Sequence, residues 1–177
     1  MLTAFHSNWT RPFAVRNPGV PYRIDRFELL TTALSALLWR RENGPIHMLC
    51  DSTALRYYQS QGLTFLWNSI HPLLDRIPPD VNAGAFWAAG KLYALAAMPS
   101  PCVMLDTDLI CWKPLEAQLS GWDAAAVHRE DIAPDIYPGA AAFSRTQGFA
   151  PEGWDWSVRP FNTALAYFGS DSFRRFY

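Results

Sequence analysis

The chain predicts an α/β layered fold with a mainly parallel central sheet and helices on both faces. Three observations carry that prediction. Short apolar runs bounded by turn residues alternate with longer stretches of helical spacing, the pattern of successive strand–helix–strand units. The run Cys102-Val103-Met104-Leu105 is entered through Pro99-Ser100-Pro101 and reads as a buried strand. That strand ends in Asp106-Thr107-Asp108, two carboxylates that an extended chain would place on one face.

In order, Leu2 to His6 alternates weakly and serves as a first strand, followed by a Pro/Gly-rich loop from Arg11 to Pro21. Asp25 caps a helix with Phe27, Leu30, Leu34 and Leu37-Leu38 on its apolar face, ending near Gly44-Pro45. Ile46 to Cys50 is a second strand. Asp51-Ser52 then caps a helix from Thr53 to about Gln61, which Gly62 closes. Leu63 to Trp67 reads as a third strand, and Ala83 to Met98 as a long helix stopped by Pro99. Beyond Asp108, Leu109 to Trp112 suits a short strand, and Pro114 opens a brief helix ending at Gly121. Ala124 to His128 suits a further strand, in which His128 is expected to pack. Arg129 to Pro160 is loop-rich, a length that marks a binding or lid region. Asn162 to Phe168 is another apolar stretch, and Asp171 starts a last helix.

The composition narrows the function. With 177 residues, half of them apolar and 18% charged, the chain is one globular domain with a substantial core. Net charge is −1, and Lys/Arg pairs occur only at Arg40-Arg41 and Arg174-Arg175, so the basic footprint of a nucleic-acid binder is missing. Cys50, Cys102 and Cys111 are an odd count without CxxC spacing, read as buried free thiols of a reducing compartment. No basic region leads into an apolar stretch at Met1, and no apolar run nears the roughly 20 residues that span a bilayer. A cytoplasmic location without a transmembrane segment is the expectation. Eight Trp residues suit stacking on rings or sugars as well as core filling.

Carboxylates beside a core need a partner, and hard divalent ions take carboxylate oxygens together with substrate phosphates. Asp106 and Asp108 therefore point to a metal-bound phosphate compound. An EF-hand loop is excluded, since Cys111 stands at its sixth position and Ala117 at its twelfth. A phosphatase pair with Asp106 as nucleophile and Asp108 as acid stays open, as do two solvated carboxylates capping a loop. Asp51 falls at the end of a strand, where α/β sheets bind ligands, and equally suits a helix cap. Glu152 and Asp155, flanked by Trp154 and Trp156, suit a base acting on a sugar hydroxyl, or a solvated loop.

The run FWAAGKLYALAAMPSPCVMLDTDLICWKPLE resembles the heart of GT-A-type glycosyltransferases, the DxD-containing, nucleotide-sugar-dependent enzymes, and is similar to their family 8/32-like members. The order matches: Lys91 on a helix, Pro99 and Pro101, an apolar strand, then Asp106 and Asp108. RPFNTALAYF resembles the family's FNxG strand, and FHSNW and HMLCDS fall in the expected places. The resemblance implies a GT-A-like, Rossmann-type single domain, with 1–108 as nucleotide-binding half and 109–177 as acceptor-side half, either with the metal held by two carboxylates and water or as a shortened version. It implies a UDP- or GDP-sugar donor, a saccharide acceptor, and Mn2+ or Mg2+ held by Asp106 and Asp108. Lys91 would set a cation near the diphosphate, where an amphipathic surface lysine is the alternative. His6, Ser7 and Asp51 would line the nucleotide pocket, and Asn162 would face the donor sugar. A phosphotransferase using Asp106, or a non-catalytic sugar-nucleotide-binding module, are the alternative functions.

Overall fold

The computed structural model describes residues 1–133 and 155–174. A six-stranded sheet runs in the order β3-β2-β1-β4-β6-β5. Its strands are β1 (Ala4–Asn8), β2 (Ile46–Cys50), β3 (Ser69–His71), β4 (Cys102–Leu105), β5 (Ala124–Ala126) and β6 (Leu165–Phe168). The first four are parallel: Ala4 pairs with Ile46 of β2 and with Val103 of β4, and His47 pairs with Ser69. β6 runs antiparallel to both β4 and β5. The α/β layering with a mostly parallel sheet is thus what the alternation of apolar runs predicted.

The helices are α1 (Arg11–Arg16), α2 (Arg26–Glu42), α3 (Ser52–Ser60), α4 (Ala89–Ala97), α5 (Glu116–Leu119) and α6 (Asp171–Arg174). Two apolar cores cover the two faces of the sheet. On one face Ala4, Met48, Val103, Leu105 and Tyr167 pack with Trp39 of α2 and Tyr58 of α3. On the other, Phe5, Leu49, Met104 and Phe168 pack with Ala94 and Leu95 of α4. The alternation along β4 and β6 between these cores is the period-two geometry of a strand buried on both sides.

Local chemistry explains the elements that agree with expectation. Asp25 Oδ1 accepts the Phe27 N–H at 2.8 Å and Asp51 Oδ1 the Ala54 N–H at 2.9 Å, so both carboxylates cap helix starts. Gly62 closes α3 with φ +67, a left-handed position that suits glycine.

Several elements differ. The loop expected from Arg11 contains α1, with Pro12 in its first turn, where a missing N–H costs nothing. Leu63–Trp67 is not a strand: Thr64–Leu66 is a 3-10 turn, and the third strand starts at Ser69. The Ala83–Met98 helix is only α4, and Leu109–Trp112 forms no strand. His128 lies beyond β5 and is exposed instead of packed. The largest correction concerns α2. Phe27 (73%), Leu30 (63%), Leu34 (44%) and Leu37 (43%) face outward. The buried face is Thr32, Ser35, Ala36, Leu38 and Trp39, because small residues let the helix approach the sheet closely. Among the described residues, no helix is long and apolar enough to cross a membrane. The three cysteines are free and buried.

Candidate functional site

Chain order reverses between β1 and β4, and in open α/β sheets ligands bind outside the carboxyl ends of the strands at that switch point. Two adjoining cavities open there. The first, about 280 Å³, is lined by Ser7, Asn8 and Trp9 after β1, Arg16 of α1, Glu28 and Thr32 of α2, Tyr58, Lys91 and Thr107. The second, about 560 Å³, contains Asp106, Met104, Glu130, Phe161 and Asn162. Trp87, Ala88 and Lys91 line both, so the first turn of α4 forms the wall between them.

The acid-tipped strand turns sharply. The Leu109 N–H bonds the Asp106 carbonyl at 3.1 Å, closing a turn immediately after β4. The same-face argument for the two carboxylates holds only for an extended chain, and here the chain turns after Asp106, so their surroundings differ. Asp106 meets Lys91, with Nζ to Oδ1 at 2.5 Å, while Asp108 is exposed and lines neither cavity. Burial raises the Asp106 pKa, the Lys91 charge counteracts that, and Asp108 adds a further upward push. Burial also raises Glu28, followed by the charges of Asp108 and Asp25. Glu28 in one cavity and Asp106 in the other are thus both carboxylates whose charged forms a cation would favour. Among the described residues no group of three or more His, Cys, Asp and Glu forms a metal cage. Two carboxylates do match an ion such as Mg2+ that keeps waters and shares its coordination with substrate phosphates.

His6, expected in the nucleotide pocket, is instead wholly buried, away from either cavity. Its Nδ1 accepts the Trp67 indole N–H at 3.1 Å, and an indole nitrogen only donates. The His6 proton therefore sits on Nε2 and is donated to Ser35 Oγ at 3.0 Å. Ser35 in turn donates to the Leu109 carbonyl at 2.6 Å. This relay ties β1, α2 and the residue after the acid turn together. Burial lowers the His6 pKa to about 3, so the imidazole stays neutral, as the relay requires.

Asp51, also expected in the pocket, has both oxygens engaged. Besides capping α3, it accepts the Thr10 N–H at 2.6 Å and the Thr10 hydroxyl at 2.8 Å. Asp155, expected as a base, has its Oδ1 accepting the Ser157 N–H and hydroxyl in a local turn, and those bonds lower its pKa. It is exposed and lies outside both cavities. Glu152 and Trp154 lie outside the described residues. Ser7, Lys91, Asp106 and Asn162 do come together around the crevice. Asn162 donates to Glu130 Oε1 at 2.5 Å and accepts the Ala164 N–H at 3.0 Å, which fixes its amide in the larger cavity.

Sequence reasoning missed Trp9, Arg16, Glu28 and Glu130 in these walls. The Trp9 indole N–H is buried without a partner among the described residues, a donor left over in the crevice wall. No motif marks these four, because α1 and α2 carry Arg16 and Glu28 to the crevice by tertiary packing alone. No family model, curated protein or solved structure matches this chain.

Proposed function

We propose that this chain is a GT-A-like glycosyltransferase domain that binds a UDP- or GDP-sugar with Mn2+ or Mg2+ and moves the sugar to a saccharide acceptor. The observation that carries the reading is the Asp106–Asp108 turn directly beyond β4, beside two cavities joined through Lys91. Asp106 and Asp108 would hold the cation jointly with the diphosphate, and the ion supplies neutralisation of the charge that develops on the leaving diphosphate. Lys91 releases part of its hold on Asp106 and offers its ammonium to the phosphate oxygens. The hydroxyls of Ser7 and Thr107 and the spare indole N–H of Trp9 give polar anchors in the smaller cavity. The larger cavity, with Asn162 and Glu130, suits the transferred sugar and its acceptor. The buried free thiols suit a reducing, cytoplasmic setting.

Because two carboxylates form an incomplete cage, metal and nucleotide should bind together. With Mn2+ at saturating UDP or GDP, stabilisation by mass action is about 2.7 kcal/mol at a hundredfold excess over Kd. For a chain of this length that raises Tm by about 5–10 °C. Mn2+ alone should leave Tm unchanged. The reading is wrong if neither nucleotide with Mn2+ moves Tm, or if Asp108→Ala responds like the parent.

A further inference from the structure

Outside both cavities, β3 forms one edge of the sheet and brings two histidines onto one serine. His47 of β2 pairs in register with Ser69 of β3, and Leu49 pairs with His71. Residues two apart on a strand share a face, so His47, Ser69 and His71 all stand on the face of Leu49. Their atoms converge: His47 Nδ1 lies 2.6 Å from Ser69 Oγ, and His71 Nε2 lies 2.8 Å from the same oxygen. His71 is exposed and His47 and Ser69 are half-buried, so the cluster opens to solvent.

A hydroxyl has one proton and donates to only one of the two rings. The second ring nitrogen must then carry a proton of its own to complete the arrangement. The accepting ring already turns a lone pair toward the hydroxyl position, and the donating ring has a second neutral tautomer that does the same. Two imidazole lone pairs directed at one point, from neighbouring strands held in register, are a chelating donor set. Imidazole suits Cu2+, Ni2+ and Zn2+, whereas Mg2+ and Mn2+ prefer carboxylate oxygens.

We propose that His47 and His71 form a two-histidine site for a divalent transition cation, Cu2+, Ni2+ or Zn2+, which takes the place of the Ser69 hydroxyl between the rings. Water completes the coordination. The site is independent of the acid turn, which lies beyond β4, two strands across the sheet from β2. Its selectivity is opposite to that of the acid turn: nitrogen donors here, oxygen donors there.

Calorimetric titration of the full chain with Ni2+ and Zn2+ tests this, with Mg2+ as the control and far-UV circular dichroism to confirm that each variant folds. The parent should bind one Ni2+ saturably and leave Mg2+ unbound at this site. Loss of an outer-shell partner already weakens metal binding about 10–100-fold, so His47→Ala and His71→Ala should each weaken Ni2+ at least about tenfold. Ser69→Ala should bind as tightly as the parent or more so, since the hydroxyl is displaced. His128→Ala should bind like the parent. The proposal is overturned if the parent takes up no Ni2+, if the His47 and His71 variants bind it undiminished, or if Ser69→Ala loses it as they do. Should His47→Ala fail to fold, His71→Gln at the exposed position decides alone.

Discussion

Acidification tests the neutral His6 relay. His6 titrates near pH 3 in the folded protein because it is wholly buried, and near 6.5 when unfolded. Between those values the unfolded chain binds one proton that the folded chain does not, so stability is lost as pH falls below 6.5. One such group contributes about 1.4 kcal/mol per pH unit, hence about 2 kcal/mol at pH 5 relative to pH 7. Other groups titrate in the same window, including His47, whose pKa burial and then His71 also lower. The contribution of His6 is therefore read as a difference. Urea unfolding of the parent and of His6→Gln at pH 7, 6 and 5 isolates it. Gln retains a side-chain N–H for Ser35 but has no proton to gain. The variant should start lower at pH 7, having lost the acceptor for Trp67, and then fall less steeply with acid. At pH 5 the gap should have closed by about 2 kcal/mol. Parallel curves would refute the buried, neutral imidazole and with it the relay that holds the residue after the acid turn.

Two further perturbations probe the crevice. A Cβ on Gly90 of α4 would lie 2.6 Å from Trp9 Cβ, so Gly90→Ala overpacks the contact that sets the crevice wall. The better helix propensity of Ala offsets only part of that, leaving a net loss of about 1–2 kcal/mol, seen in thermal melts as a Tm about 2–8 °C lower. A higher Tm would show that the wall is not tight. Lys91→Met leaves Asp106, a partly buried carboxylate, without its cation; the pair is 21% and 27% exposed. The Asp106 pKa, already raised by burial, should climb further, as NMR titration would show. A carboxyl that is raised on folding loses stability as pH increases, so the deficit of the variant should grow from pH 4 to about 1–2 kcal/mol at pH 7. A constant deficit would argue that the ion pair does not control Asp106.

Features carried by neighbours in the chain were legible in the sequence. Asp25 and Asp51 cap helices through bonds that span two or three residues, and β2 and β4 announce themselves as apolar runs between turn residues. Features carried by distant partners were not. His6 reads as a pocket residue until Ser35 and Trp67, 29 and 61 positions away, enclose it. Asp51 reads as available until Thr10 occupies its second oxygen. The outward stripe of α2 has the spacing of a core face, and only the close approach of Thr32, Ser35 and Ala36 to the sheet reveals which side is buried.

The sequence by itself determined the layered α/β class, the strand that ends in two carboxylates, and the lysine-bearing helix before it. Those follow from local periodicity and turn chemistry, which act over a few residues. Tertiary structure alone decided that Asp106 faces Lys91 while Asp108 stays exposed, that Glu130 and not Asp155 shares the larger cavity, and that two histidines meet on one serine. The reason is physical. A turn redirects a side chain within three residues, and strand pairing brings together atoms that no spacing in the chain connects.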